Sequence, residues 1–180
     1  IGLDGGLKDG RYVLEWTDPR MEKFLFERGQ CRFLIGAGPP GLSREGLTKE
    51  QYEEYVRQYL RQVIAHARKA GWYERLSFTG AVDEPQTRKE YEAVRYWADL
   101  VHSVDPDVPV AVTEQPIPDK TEWGTLVGYC SEWIVHGNVL DRNRGAIAAR
   151  QAAGERVSWY ISCDQLYPQP NYYIDRSAAD

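Results

Sequence analysis

Apolar residues recur every three or four positions between Tyr52 and Ala67. Tyr52, Tyr55, Val56, Tyr59, Leu60, Val63, Ile64 and Ala67 mark the buried face of a long helix. Thr48 and Gln51 fit a capping box at its start, and Gly71 fits its stop. The same period returns at Tyr91, Val94, Ala98 and Val101, behind a second box formed by Thr87 and Glu90. A third helix runs from about Asp141 to Ala153 and closes at Gly154, and a short one follows Asp18 and Pro19 and ends at Gly29. Between these lie short apolar runs that read as strands: RYVLEW, RFLIG, RLSFTGAV, VPVAVT, EWIVHG and RVSWYIS.

Strands separated by helices imply a parallel sheet with right-handed crossovers. An open doubly wound sheet and a (β/α)8 TIM barrel both satisfy that pattern. A barrel runs to about 250 residues. In 180 residues, with about six strands, the pattern therefore fits a single α/β domain, residues 1–180, of barrel type and incomplete. The stretch IPDKTEWG reads as a loop within that domain.

Composition narrows the chemistry. The chain is 42% apolar and 12% aromatic, enough for one sizeable core. A net charge of −5 without a basic block argues against a nucleic-acid or anionic-membrane partner. No run reaches the apolar length of a membrane span. The start, IGLDGG, has neither an initiator Met nor a leader pattern, so the chain reads as a piece of a longer protein and its compartment is undetermined. Cys31, Cys130 and Cys163 lack metal-ligand spacing and read as small buried residues. Neither a metal nor a cofactor is called for.

The stretch FLIGAGPPGLS contains G-x-G-x-x-G after a strand. A dinucleotide site needs a helix to begin within those glycines, aiming its N–H groups at a pyrophosphate. Here Pro39 and Pro40 remove two donors, and Gly46 separates the motif from the helix at Thr48. The stretch reads as a turn at a strand end.

Asp83 and Glu84 stand together where the strand RLSFTGAV ends, and Pro85 biases Glu84 towards an extended backbone. Strand C-terminal ends carry the chemistry of barrels. Two acids this close in a partly dry pocket should titrate apart, giving a protonated acid beside an ionised one. Such a pair suits glycosidic cleavage, and the alternative is that both merely solvate or cap the next helix. Aromatic rings suit the apolar faces of sugars. Trp133, Tyr160 and Tyr167 are candidates for that contact, with Asn171 for hydroxyls and Glu114, at the next strand end, as a further acid. Glu114 also fits a solvated strand-end residue. Because Trp159 and Tyr160 alternate, Tyr160 is assigned to the pocket and Trp159 to the core. His136 ends a strand as a hydrogen-bonded, neutral imidazole, while His66 and His102 read as packing or surface residues.

FTGAVDEP, DLVHSVDPDVPVAVTEQP, EWIVHG and VSWYISCDQLYPQPNYYID resemble, in order and spacing, the catalytic barrel of glycoside hydrolase family 123 and its uncharacterised bacterial relatives. The likeness is good from Leu76 to Asp175 and only generic before that. It implies a retaining β-N-acetylgalactosaminidase using substrate-assisted catalysis, a carbohydrate substrate, and a secreted or periplasmic protein. Asp83 would hold the acetamido N–H, and Glu84 would serve as acid and base. A barrel glycosidase with a separate nucleophile at Asp164 is the competing mechanism. Family members continue beyond the final IDRSAAD, so the chain reads as an excerpt, a swapped oligomer, or a non-catalytic remnant that binds carbohydrate or serves structure.

Overall fold

The computed structural model describes residues 2–29, 32–80, 82–116 and 122–160. Five strands form one parallel sheet in sequential order: β3 (Phe33–Gly36), β4 (Leu76–Thr79), β5 (Val110–Val112), β6 (Glu132–His136) and β7 (Arg156–Tyr160). A doubly wound sheet would reverse its strand order at a switch point. This one does not reverse, so crossovers of one hand place their helices on one face of the sheet. Those helices include α2 (Lys49–Ala70), α3 (Arg88–His102) and α4 (Arg144–Ala152).

The strand read at Arg11–Trp16 is not part of that sheet. It is β2, paired antiparallel with β1 (Leu3–Lys8), which the apolar pattern does not reveal. Asp9 and Gly10, at φ +50° and +74°, make the tight turn between them. The free edge of β2 is closed by side chains of α2. Gln58 Oε1 accepts from the Tyr12 N–H at 2.8 Å, Gln62 Oε1 from the Leu14 N–H at 3.0 Å, and Gln62 Nε2 donates to the Tyr12 carbonyl at 2.9 Å. These bonds replace the missing neighbour strand. Behind the hairpin, α1 (Pro19–Glu27) starts at Asp18, whose carboxylate accepts from the Met21 N–H. The Glu22 carboxylate of α1 accepts from the Trp72 indole at 2.5 Å and faces His66 Nε2 at 2.7 Å, while the His66 ring stacks on Trp16. His66 is thus a packing residue.

The glycine-rich loop serves packing. Between Gly36 and Lys49 no helix begins, the Tyr12 hydroxyl donates to the Pro40 carbonyl at 2.6 Å, and a Cβ on Gly41 (φ +68°) would lie 2.2 Å from the Gly5 carbonyl oxygen. The α2 capping box is present in full, and Gly71 closes the helix at φ +82°. The helix expected from Asp141 divides into a 3-10 turn, Asp141–Asn143, and α4 proper.

Side-chain alternation splits the sheet residues between two faces. Ile35, Leu76, Phe78, Val110, Val112, Trp133 and Val135 are buried against the helices. Register places Leu34 beside Ser77, Ala111 beside Glu132, Glu132 beside Arg156, and His136 beside Tyr160, all on the opposite face. Near the N-terminal ends of the strands that face holds a charged cluster. Glu132, 5% exposed, accepts from Arg32, from the Ser77 hydroxyl at 2.6 Å and from Arg156 at 3.3 Å. Cys130 is buried and free, and burial, with the Glu155 charge adding to it, pushes its thiol up to about 12. Cys31 and Cys163 lie outside the described residues.

Removing one partner of a buried charge cluster costs roughly 3–5 kcal/mol, because the remaining charges keep their desolvation without compensation. Glu132→Ala should therefore lower the urea unfolding free energy by about that amount. A loss below about 1 kcal/mol would contradict the role given to the cluster.

Candidate functional site

The loop from Asp83 to Thr87 joins β4 to α3 and is anchored at both ends. At the helix end, Thr87 Oγ1 accepts from the Glu90 N–H, while the Glu90 carboxylate accepts from the Gln86 N–H at 2.7 Å and from the Thr87 hydroxyl at 2.9 Å. The backbone donor of Gln86, followed by that hydroxyl, holds the Glu90 carboxyl below the usual carboxylate range. At the strand end, Thr113 follows β5, and its hydroxyl donates to Asp83 Oδ1 at 2.5 Å while accepting from the Glu84 N–H at 2.9 Å.

Glu84 is not extended. Its φ is +46°, in the left-handed region that costs a non-glycine residue about 1–3 kcal/mol unless its surroundings over-determine it. The surroundings here are the Thr113 hydroxyl on its N–H and the Tyr160 hydroxyl, which donates to Glu84 Oε1. The local bias of Pro85 yields to these two tertiary bonds.

Glu84 opens onto a cleft of about 190 Å³ at the C-terminal ends of β4 to β7. Gln86 comes from the loop after β4, and Thr113, Glu114 and Gln115 from that after β5. His136 ends β6, Asn138 and Val139 follow it, and Tyr160 ends β7. All of these are polar except Val139, so the cleft presents hydrogen-bonding groups to whatever enters. His136 stands edge-on to the Tyr160 ring, centroids 4.9 Å apart, and Asn138 binds its Nδ1.

Glu84, Glu114 and Tyr160 are therefore brought together. Asp83 stands at the rim, outside the lining, joined to the cleft through Thr113. Asp83 and Glu84 are both exposed, in place of the partly dry setting expected, because the cleft is open at the strand ends. The buried acid is Glu114, 3% exposed. It accepts from the Gln115 N–H at 2.7 Å and bonds the Tyr91 hydroxyl of α3, so it is not a solvated strand-end residue. Burial, then the Glu114 charge, pushes the Tyr91 hydroxyl up.

Trp133 is a core residue, not a sugar platform. It is fully buried on the helix face, and its indole donates to Glu155 at 2.7 Å. Being three residues before His136, it must face the other way. Trp159, on that same face at the last described strand, is 49% exposed rather than core. Tyr167, Asn171 and Asp164 lie outside the described residues.

Sequence reasoning missed Thr113, Gln115, Gln86 and Asn138. Thr113 had a signal: it is one residue beyond the alternating VPVAV run and shares the face of Ala111. Gln86 and Gln115 sit on irregular loops and Asn138 on a short 3-10 turn, Gly137–Val139, where no long period applies.

The chain matches the model of the glycoside hydrolase 123 catalytic domain over residues 42–180. Among solved structures it is similar to a family 123 glycoside hydrolase from Clostridium perfringens studied for glycolipid glycan hydrolysis. The TM-score is 0.66 at 9% identity, covering 93% of this chain and 33% of that one. The chain thus spans about a third of that protein, and at this identity the likeness concerns the fold alone. A glycerophosphodiester phosphodiesterase from Parabacteroides distasonis aligns at TM-score 0.43 and 11% identity over 90% of this chain and 70% of that one, too loosely to carry an argument. No curated protein matches. With the family model covering residues 42–180 of 180, the chain belongs to the glycoside hydrolase 123 catalytic-domain family.

Proposed function

We propose that the cleft cleaves terminal β-linked N-acetylhexosamine, N-acetylgalactosamine in particular, with retention and with the substrate's own acetamido oxygen as nucleophile. The observation that carries this reading is Glu84. In a chain of this family it stands in a polar cleft at the C-terminal ends of four consecutive parallel strands, with Asp83 next to it. The sheet is read accordingly as an arc of a (β/α)8 barrel, whose reactive end lies there.

Asp83 takes the acetamido N–H through its second oxygen, since Oδ1 is engaged by Thr113. That contact aligns the acetamido carbonyl with the anomeric carbon and stabilises the positive charge that develops as the oxazoline closes. Glu84 protonates the leaving oxygen. With Oε1 engaged by the Tyr160 hydroxyl, Oε2 carries the proton. Glu84 then removes a proton from the water that opens the oxazoline, regenerating the acid. Because the nucleophile arrives with the substrate, no second enzymic carboxylate is required across the ring. A cleft of about 190 Å³, below the roughly 300–1,000 Å³ of pockets for drug-sized ligands, suits one terminal unit. Tyr160, Glu114, Tyr167 and Asn171 are assigned to the sugar.

Glu84→Gln should slow a substrate with a poor leaving group by about 10²–10⁴-fold while an activated aryl glycoside loses far less, since only the former needs protonation. Steady-state kinetics on the two substrates check this, and equal losses on both would count against the acid role.

Asp83→Asn should impair both substrates alike, and Asp164→Asn should leave turnover near the starting value. A plain aryl galactoside, lacking the acetamido group, should be almost inert. Rapid turnover of that galactoside, lost in Asp164→Asn, would instead establish double displacement.

A further inference from the structure

We infer that Thr113 is the positioning residue of the acidic pair, a role that rests on the catalytic reading of Asp83 and Glu84. One hydroxyl makes both contacts. Its oxygen accepts from the Glu84 N–H at 2.9 Å, so its single proton is directed to Asp83 Oδ1 at 2.5 Å. The two acids are neighbours on a strained turn, and a strand end alone would let their carboxyl groups rotate independently. Thr113 joins them from another strand. It holds Glu84 at φ +46°, the backbone from which its carboxylate meets Tyr160, and it leaves Asp83 one oxygen for an amide N–H.

The anchor itself is stiff. Thr113 is half-buried at the end of β5, whose Val110, Ala111 and Val112 are all buried between β4 and β6. Its branched Cβ restricts χ1, so the hydroxyl is presented in one direction. The buried Glu114 follows immediately, held by Tyr91 and by the Gln115 N–H, which fixes the chain on the other side of Thr113. Nothing in this arrangement makes Thr113 touch the reacting bond. It acts by aiming the two groups that do.

Comparison of Thr113→Val, which keeps the shape and removes the hydroxyl, with Thr113→Ser, which keeps the hydroxyl, tests the assignment. On an aryl N-acetyl-β-galactosaminide, Thr113→Val should lower kcat about a hundredfold with KM within about threefold, and Thr113→Ser should restore kcat to within about threefold of the starting chain. Hydrogen exchange gives a readout that needs no turnover. The Glu84 amide should lose about tenfold of its protection in Thr113→Val and none in Thr113→Ser. The Phe78 amide, bonded to the Pro109 carbonyl in the core of the sheet, should be unchanged in both. Unchanged Glu84 protection in Thr113→Val overturns the clamp. Unchanged kcat in Thr113→Val, in a chain that Asp83→Asn inactivates on this substrate and Glu84→Gln inactivates on one with a poor leaving group, overturns the positioning role while the catalytic reading stands. Turnover that survives both acid substitutions overturns the catalytic reading, and the positioning role with it, even where exchange confirms the clamp.

Discussion

The Glu132 carboxylate fixes how the strands sit against one another. It binds Arg32 just before β3, Ser77 on β4 and Arg156 on β7 from its own place on β6. A one-residue slip in any of these strands would send every side chain of that strand to the other face. An apolar layer alone tolerates such slips where runs are short, and β5 has only three residues. A carboxylate that accepts from β4, from β7 and from the residue that leads into β3 does not tolerate slips of those strands, since any slip leaves buried charge unpaired. The cluster lies at the N-terminal ends of the strands, and the cleft lies at the other end. The same register that seats Glu132 beside Arg156 brings His136 beside Tyr160 four residues later.

From that register the cleft follows with few further choices. Residues of one parity meet the helices, and those of the other meet the open face. Tyr160 therefore reaches Glu84 across the strand ends, and Trp133 cannot. The loop that carries Asp83 and Glu84 is then held from three directions: by Glu90 at the head of α3, by Thr113 at the end of β5 and by Tyr160 at the end of β7. An acid with positive φ persists where such bonds over-determine it, and strain of this kind is common where a carboxylate must be aimed.

Much of this was legible in the sequence, for identifiable reasons. The α2 capping box and its glycine stop obey local rules that no tertiary contact overrides here. The alternation of strand and helix specified a parallel sheet. The choice of Tyr160 over Trp159 for the pocket needed only period-two parity. Applied from His136 back to Trp133, the same parity would have placed Trp133 in the core. The hairpin was hidden because Leu3–Lys8 carries two glycines and little alternation, and only Asp9-Gly10 announced it. The burial of Glu114 and the backbone of Glu84 were hidden for a different reason. Both are set by partners distant in sequence, Tyr91 for one and Thr113 with Tyr160 for the other. The loop preference of a residue before proline is small beside two such bonds.

The central claim is that the bond-forming atom comes from the substrate. It is tested most directly by a series of aryl β-galactosaminides whose N-acetyl group carries no, one, two or three fluorine atoms. Fluorine withdraws electrons from the acetamido oxygen without altering the leaving group or the sugar ring. Substrate assistance predicts that kcat/KM falls steeply and monotonically along the series, as the oxygen becomes a poorer nucleophile. A flat series, with all four substrates turned over at similar rates, would show that an enzymic carboxylate forms the bond and would contradict the account.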